Sequence, residues 1–303
     1  MDVDEYDRTY AVAVEEAETA HLAQGLGADG PDEELLGTVA ATSGETDTRV
    51  AAIDQIRFNA VAYPAVIELL LTVLGDTGDD PVVRRAALGA LAESSFRVVD
   101  FGPHATDYRA ILRSVATDAD LTLRERALEF LALAKDEYAQ RLLLDGLRDP
   151  KKALVAARRA LQMVGHDLHA EHYDLLRDIV ASSEHQGIRN DALRLLAADG
   201  DSKDLFARIV QDASQDTEAR STSAIALSSL APEEFASIAQ DIVLDEDDDD
   251  DLRATCLTTL AHGPGPSAEP DLAARVLDTP TAKSAELTRA AHQYTRTMAP
   301  GNG

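Results

Sequence analysis

Arginines recur along this chain with apolar or small residues three, four and seven positions after them. With the arginine as position zero, Arg84 precedes Ala87, Leu88 and Leu91, Arg124 precedes Ala127, Leu128 and Leu131, and Arg189 precedes Ala192, Leu193 and Leu196. Arg49, Arg220 and Arg253 continue the series, Ala157 holds position zero in one copy, and a last, degenerate copy reads from Arg289. The spacing averages about 34 residues, which two helices and two turns fill. Before these segments lie others with apolar residues at helical spacing: Tyr63 to Leu74, Asp107 to Thr117, Glu137 to Leu147, His169 to Ala181, Ser202 to Gln211 and Glu233 to Leu244. Asp80-Pro81 and Asp149-Pro150 predict helix starts, an acid at the N-cap with proline after it. No strand-like alternation of useful length occurs, so the pattern predicts an all-α protein. On a helical wheel the arginine falls inside the apolar stripe. A charge there needs a partner, so Arg49, Arg84, Arg124, Arg189, Arg220 and Arg253 are predicted to tie neighbouring units together.

The repeated unit resembles HEAT repeats, and also the shorter HEAT units of bilin-lyase-like proteins, over about residues 31 to 298. What carries the resemblance is an aspartate four residues before the arginine: Asp80 with Arg84, Asp120 with Arg124, Asp216 with Arg220 and Asp249 with Arg253. Members of that family typically carry an Asp and an Arg in the second helix that bond between neighbouring repeats. The resemblance implies a right-handed α-α superhelix, a HEAT-like solenoid of about eight helical hairpins. Departures at Ala157, and at His185 four before Arg189, interrupt any ladder in its middle. The organisation expected is an N-terminal helix (Tyr6 to Gln24) and linker over 1–30, a repeat array over 31–262, and a hinge, capping hairpin and mobile tail over 263–303. The hinge is GPGPSAEP, residues 263–270, and the tail begins at Ala299. The N-terminal segment can cap the first repeat or fold onto a partner.

Charge then narrows the partner. The 303 residues include 35 Asp and 20 Glu against 5 Lys and 23 Arg, a net charge of −27. Such a surface fits a high-salt cytoplasm or the codon usage of a GC-rich genome, and it opposes duplex DNA or an anionic membrane as the main ligand. The opening MDVDEYDR is unlike a secretory signal, no apolar run approaches 18 residues, and the single Cys256 cannot form an internal disulfide. The expectation is a soluble, cytoplasmic protein.

In solenoids of the resembled type, second helices line the concave binding face. Outward positions there, one, two and five after position zero, hold Arg85, Arg126, Arg158, Arg159 and Arg194 beside Glu125, Glu129 and Asp191. The next two units offer Ser221, Thr222, Ile225, Ala254, Thr255 and Thr258. This predicts a groove that is basic in its middle and neutral toward its C-terminal end, suited to an acidic or phosphorylated protein segment. The alternative is that these arginines pair with neighbouring acids on a solvated face.

The function expected is a non-enzymatic scaffold or adaptor for another protein or peptide, without a cofactor or catalytic residues, and with self-assembly through the array's ends as a further route. With 4% aromatic residues and no Trp, the chain lacks the stacking platforms of HEAT-like DNA glycosylases. No His precedes a Glu, so the His-Glu ligands of the HEAT-repeat di-iron hydroxylases are absent too. A bilin-lyase-like or metal-binding enzyme is the alternative. His166, His169 and His172 are its metal candidates, weighed against a polar, solvated helix start. The acidic run Asp245 to Asp251 reads as a solvated, flexible loop, and Cys256 as a core residue.

Overall fold

A computed structural model describes residues 32–262, 269 and 271–298. The segment Tyr6 to Gln24 with its linker, the hinge apart from Glu269 and Asp271 onward, and the tail after Met298 lie outside the described residues. Among the described residues the chain is all-helical and without strands, and no helix is long and apolar enough to cross a membrane. It forms two compact units that divide between Val155 and Ala156.

The first unit contains α1 (Glu33–Ala40), α2 (Thr46–Ile56), a 3-10 turn (Arg57–Ala62), α3 (Pro64–Gly75), α4 (Pro81–Ser95), the short α5 (Val98–Phe101), α6 (Ala105–Val115), α7 (Leu121–Leu133) and α8 (Glu137–Arg148). α1 packs on α2, α3 on α4 and α6 on α7, while α2, α4 and α7 pack in succession and α1, α3 and α6 do likewise. The second unit contains α9 (Ala157–Val164), α10 (Tyr173–Ser182), α11 (Gln186–Leu196), α12 (Lys203–Gln211), α13 (Thr217–Leu230), α14 (Pro232–Leu244), α15 (Asp250–His262), α16 (Leu272–Asp278) and α17 (Ala285–Met298). Its hairpins are α10–α11, α12–α13, α14–α15 and α16–α17, and its second helices α9, α11, α13, α15 and α17 pack each on the next.

The core follows the sequence period. Positions three, four and seven after the arginine are buried, as in Ala87, Leu88 and Leu91 or Ala192, Leu193 and Leu196, except that Leu260 on α15 is only partly buried. Burying each leucine contributes about 1.5–3 kcal/mol, and the alanine lets neighbouring helices approach closely. At that alanine position α13 carries Ser223, whose buried Oγ has no hydrogen-bond partner. Ser223→Ala removes an unsatisfied polar atom without leaving a void. It is expected to raise stability by about 1 kcal/mol, read as a higher urea midpoint at unchanged slope.

Three local readings are corrected. In the last helix the buried residues are Leu287, Ala290, Ala291 and Tyr294, while Arg289 is exposed and His292 faces outward. Position zero is therefore Leu287, two residues before the arginine that mimicked it, and this copy has no core arginine. Asp149-Pro150 opens only a single 3-10 turn (Pro150–Lys152), because Ala153 returns to extended backbone and α9 starts later, without a side-chain cap. The acidic run is largely exposed, as expected, but it is anchored at several points rather than free. Asp248 binds Arg220, Asp249 accepts the Asp251 and Leu252 N–H groups, and Asp250 accepts the Ser284 N–H.

Candidate functional site

The arginines at position zero do two jobs. In all but Arg124, Nε donates to a carbonyl in the last turn of its own hairpin's first helix, where α-helices leave carbonyls unsatisfied. Arg49 reaches Val39 O at 3.2 Å, Arg84 reaches Leu74 O at 3.1 Å and Arg220 reaches Val210 O at 2.9 Å. Arg189 and Arg253 reach Val180 O and Val243 O in the same way. The outer nitrogens then reach forward to the loop of the next hairpin. Arg49 donates to both oxygens of Asp79 (2.5 and 2.7 Å), Arg84 to Asp118 (2.6 Å), Arg220 to both oxygens of Asp248 (2.6 and 2.7 Å) and Arg189 to Gln215 (2.7 Å).

The acid gripped is thus not the one four residues before the next arginine. Asp79, Gln215 and Asp248 stand five before it, and Asp118 six. Asp80, Asp120, Asp216 and Asp249 act as N-caps, accepting N–H groups of Val82, Leu123, Ala219 and Leu252. Three of them also receive a donor from the preceding hairpin: Asp80 from Thr46 Oγ1 (2.6 Å), Asp120 from Arg85 Nη1 (2.9 Å) and Asp216 from Asn190 Nδ2 (3.2 Å). Arg124 meets no such acid ahead and donates instead to the Leu154 and Asp118 carbonyls at 2.7 and 2.6 Å. In this ladder the hydrogen bond from Arg49 holds the Asp79 carboxyl below its ordinary range. Burial pushes Asp248 upward, yet Arg220 outweighs it and holds Asp248 low.

A second set of ties was not visible as a motif. Arg113 near the end of α6 donates to Asp136 at 2.7 Å, and Asp136 also caps α8. Arg177 on α10 pairs with Asp199, which accepts from Ser202 Oγ at 2.5 Å. The signal available was an arginine in a first helix with an aspartate 22 or 23 residues later.

The second-helix face distributes its charge differently from the expected basic strip. Arg85 and Arg126 belong to the first unit, and Arg158, Arg159 and Arg194 to the second. Arg85 pairs with Asp120, and Arg126 lies over the Phe130 ring, 5.8 Å from its centroid. Arg158 and Arg194 both grip Asp191, each at 2.7 Å, and Arg194 also binds Glu218. Asn190 Nδ2 donates to Glu218 at 2.8 Å, and Arg159 to Gln162 at 3.3 Å. Apart from Arg126 on its ring, these cations meet acids or amides.

Toward the C-terminal end the neutral positions assemble into an open groove of about 810 Å³ on α13, α15 and α17. Ile225, Ala254, Thr255, Thr258, Thr259 and Ala290 line it, with Asp251, Glu286, Arg289 and Gln293 at its polar edge. Ile225 is 54% exposed there, whereas Leu227 on the same helix is fully buried. Gln293 closes toward His262, the two side-chain nitrogens being 2.9 Å apart. The shifted register of α17 brings Arg289 into this groove.

Of the three histidines, His169 and His172 meet edge to face, their ring centroids 5.6 Å apart, but no metal-holding triad forms. His172 is buried with its Nδ1 accepting the His169 N–H, His169 Nε2 lies 3.2 Å from Asp167, and His166 is exposed. Among the described residues no group of three or more His, Cys, Asp or Glu side chains is placed to hold a metal. Cys256 lies in the core, and burial pushes its thiol up to about 12. No protein-family model matches the chain, and a search of curated proteins finds no similar sequence.

Proposed function

We propose that the chain is a non-enzymatic protein-binding scaffold, a HEAT-like α-solenoid of about eight hairpins that holds a partner's peptide segment along its second-helix face. Support for the array comes from the period of about 34 residues, from the packing of successive second helices and from arginines that clamp one hairpin to the next. The observation that carries the binding role is Ile225, left more than half exposed in a groove floored by small and threonine side chains. An apolar anchor set among hydroxyl groups matches the centre-and-rim composition of peptide-binding surfaces. We set the anchor here rather than among the arginines, of which Arg85, Arg158 and Arg194 are offset by neighbouring acids.

Ile225→Arg together with Thr258→Arg is expected to abolish stoichiometric partner capture from the native cell lysate and leave the thermal melt within a few degrees. Capture that survives these changes, but is lost on Arg126→Glu, Arg158→Glu and Arg159→Glu combined, would return the partner to the charged middle of the face.

A further inference from the structure

A second apolar surface lies in the first unit. Phe58 in the 3-10 turn after α2, Phe96 after α4, and Val98 and Val99 in α5 are 73%, 80%, 75% and 89% exposed. Both α4 and α5 pack against that 3-10 turn, so the four residues belong to one edge formed by adjacent exit turns. Arg57 fixes the edge: its guanidinium stacks 5.2 Å from the Phe58 ring centroid and binds Glu93 on α4 and Asp54. A contiguous cluster of two phenylalanines and two valines signals a covered surface rather than scattered exposure.

We propose that this patch is covered by the chain's own N-terminal segment, Tyr6 to Gln24. Three observations favour that occupant. First, α1 and α2 form a hairpin joined by residues 41–45, so the start of α1 lies at the same end as the end of α2 and the Phe58 turn. The described chain begins at Asp32, at that end of the hairpin. Second, Gly25 to Pro31 is a seven-residue tether that spans at most about 25 Å, which keeps the segment near this end of the hairpin at a high effective concentration. Third, at helical spacing Tyr6, Tyr10, Ala13, Val14 and Ala17 share one stripe, with Glu15, Glu16 and Glu18 away from it. A second copy would bring another charge of −27 against this one, which the intrachain contact avoids.

The chain contains no Trp, so Val99→Trp places a single reporter in the patch. In the full chain its emission is expected to be blue-shifted and protected from acrylamide at every protein concentration. Adding Tyr10→Asp and Val14→Asp should red-shift it and restore quenching. A solvent-exposed indole in the full chain, or protection indifferent to Tyr10→Asp and Val14→Asp, would overturn the proposal. Protection that disappears on dilution would assign the patch to a second copy instead. None of these readouts depends on the groove around Ile225.

Discussion

Arg220→Met is expected to lower stability by roughly 3–5 kcal/mol, the cost of removing one partner from a buried charge pair. Its side chain is buried, its outer nitrogens hold both oxygens of Asp248, and its Nε caps the Val210 carbonyl. The substitution leaves Asp248, also nearly buried, without its counter-charge, and frees a carbonyl at the end of α12. Urea denaturation followed by helical circular dichroism reads the loss. Pairing Arg220→Met with Asp248→Leu should recover much of it, since an apolar pair carries no desolvation cost. Arg289→Met, changing an exposed arginine, should stay within about 0.5 kcal/mol of the parent. A similar loss for both arginines would mean that the ladder contributes no more than the surface does.

Acidification should unfold the protein below about pH 4. Asp79, Asp118, Asp136 and Asp248 all sit below the ordinary 3.8 in the folded state. For Asp79 the Arg49 hydrogen bond is the main cause. For the other three, burial pushes upward and the guanidinium partners outweigh it. Asp212 is held at about 2 by Ser214 and Gln215, the latter also accepting from Arg189. With folded values depressed, the unfolded chain binds more protons. The stability these groups contribute is therefore complete above the unfolded value near 3.8 and drains away as pH falls through the folded values. Arginine stays protonated throughout, so the carboxylates alone set the window. Denaturation series from pH 8 to 2 in roughly 1 M salt, where surface repulsion is screened within about 3 Å, should be flat down to about pH 5 and then fall steeply. Asp79→Asn with Asp248→Asn should lower the plateau and flatten that fall. A fall centred near pH 6 would instead implicate the histidines.

Much of the fold was legible because the arginine and its apolar followers repeat. Each copy is weak alone, and the period aligns them. What the sequence concealed was which acid each arginine grips. Asp79 and Asp80, or Asp248 and Asp249, are neighbours of identical chemistry, and only the backbone turn decides that the second caps a helix while the first turns toward the arginine. The last register slipped because Arg289 stands close to where an arginine belongs. The spacing of Ala290, Ala291 and Tyr294 from Leu287 held the better answer, at the cost of accepting a copy without a charge. The basic middle of the face was overcounted for a related reason. Asp191 was tallied as one acid, yet its position lets it serve two arginines at once, a three-dimensional fact that no linear count contains.

The forward reach of the arginines gives the array unequal ends. Stripping the first hairpin away would maroon Asp79, a buried carboxylate whose ion-pair partner is Arg49. Peeling off the last hairpin maroons no ion of that kind, because Leu287 stands where a charge would be and Arg253 keeps its bonds to Val243 and Asp250. Fraying should accordingly begin at the C-terminal edge, next to the groove that carries Ile225. The groove would then be bordered by the part of the array that opens most readily.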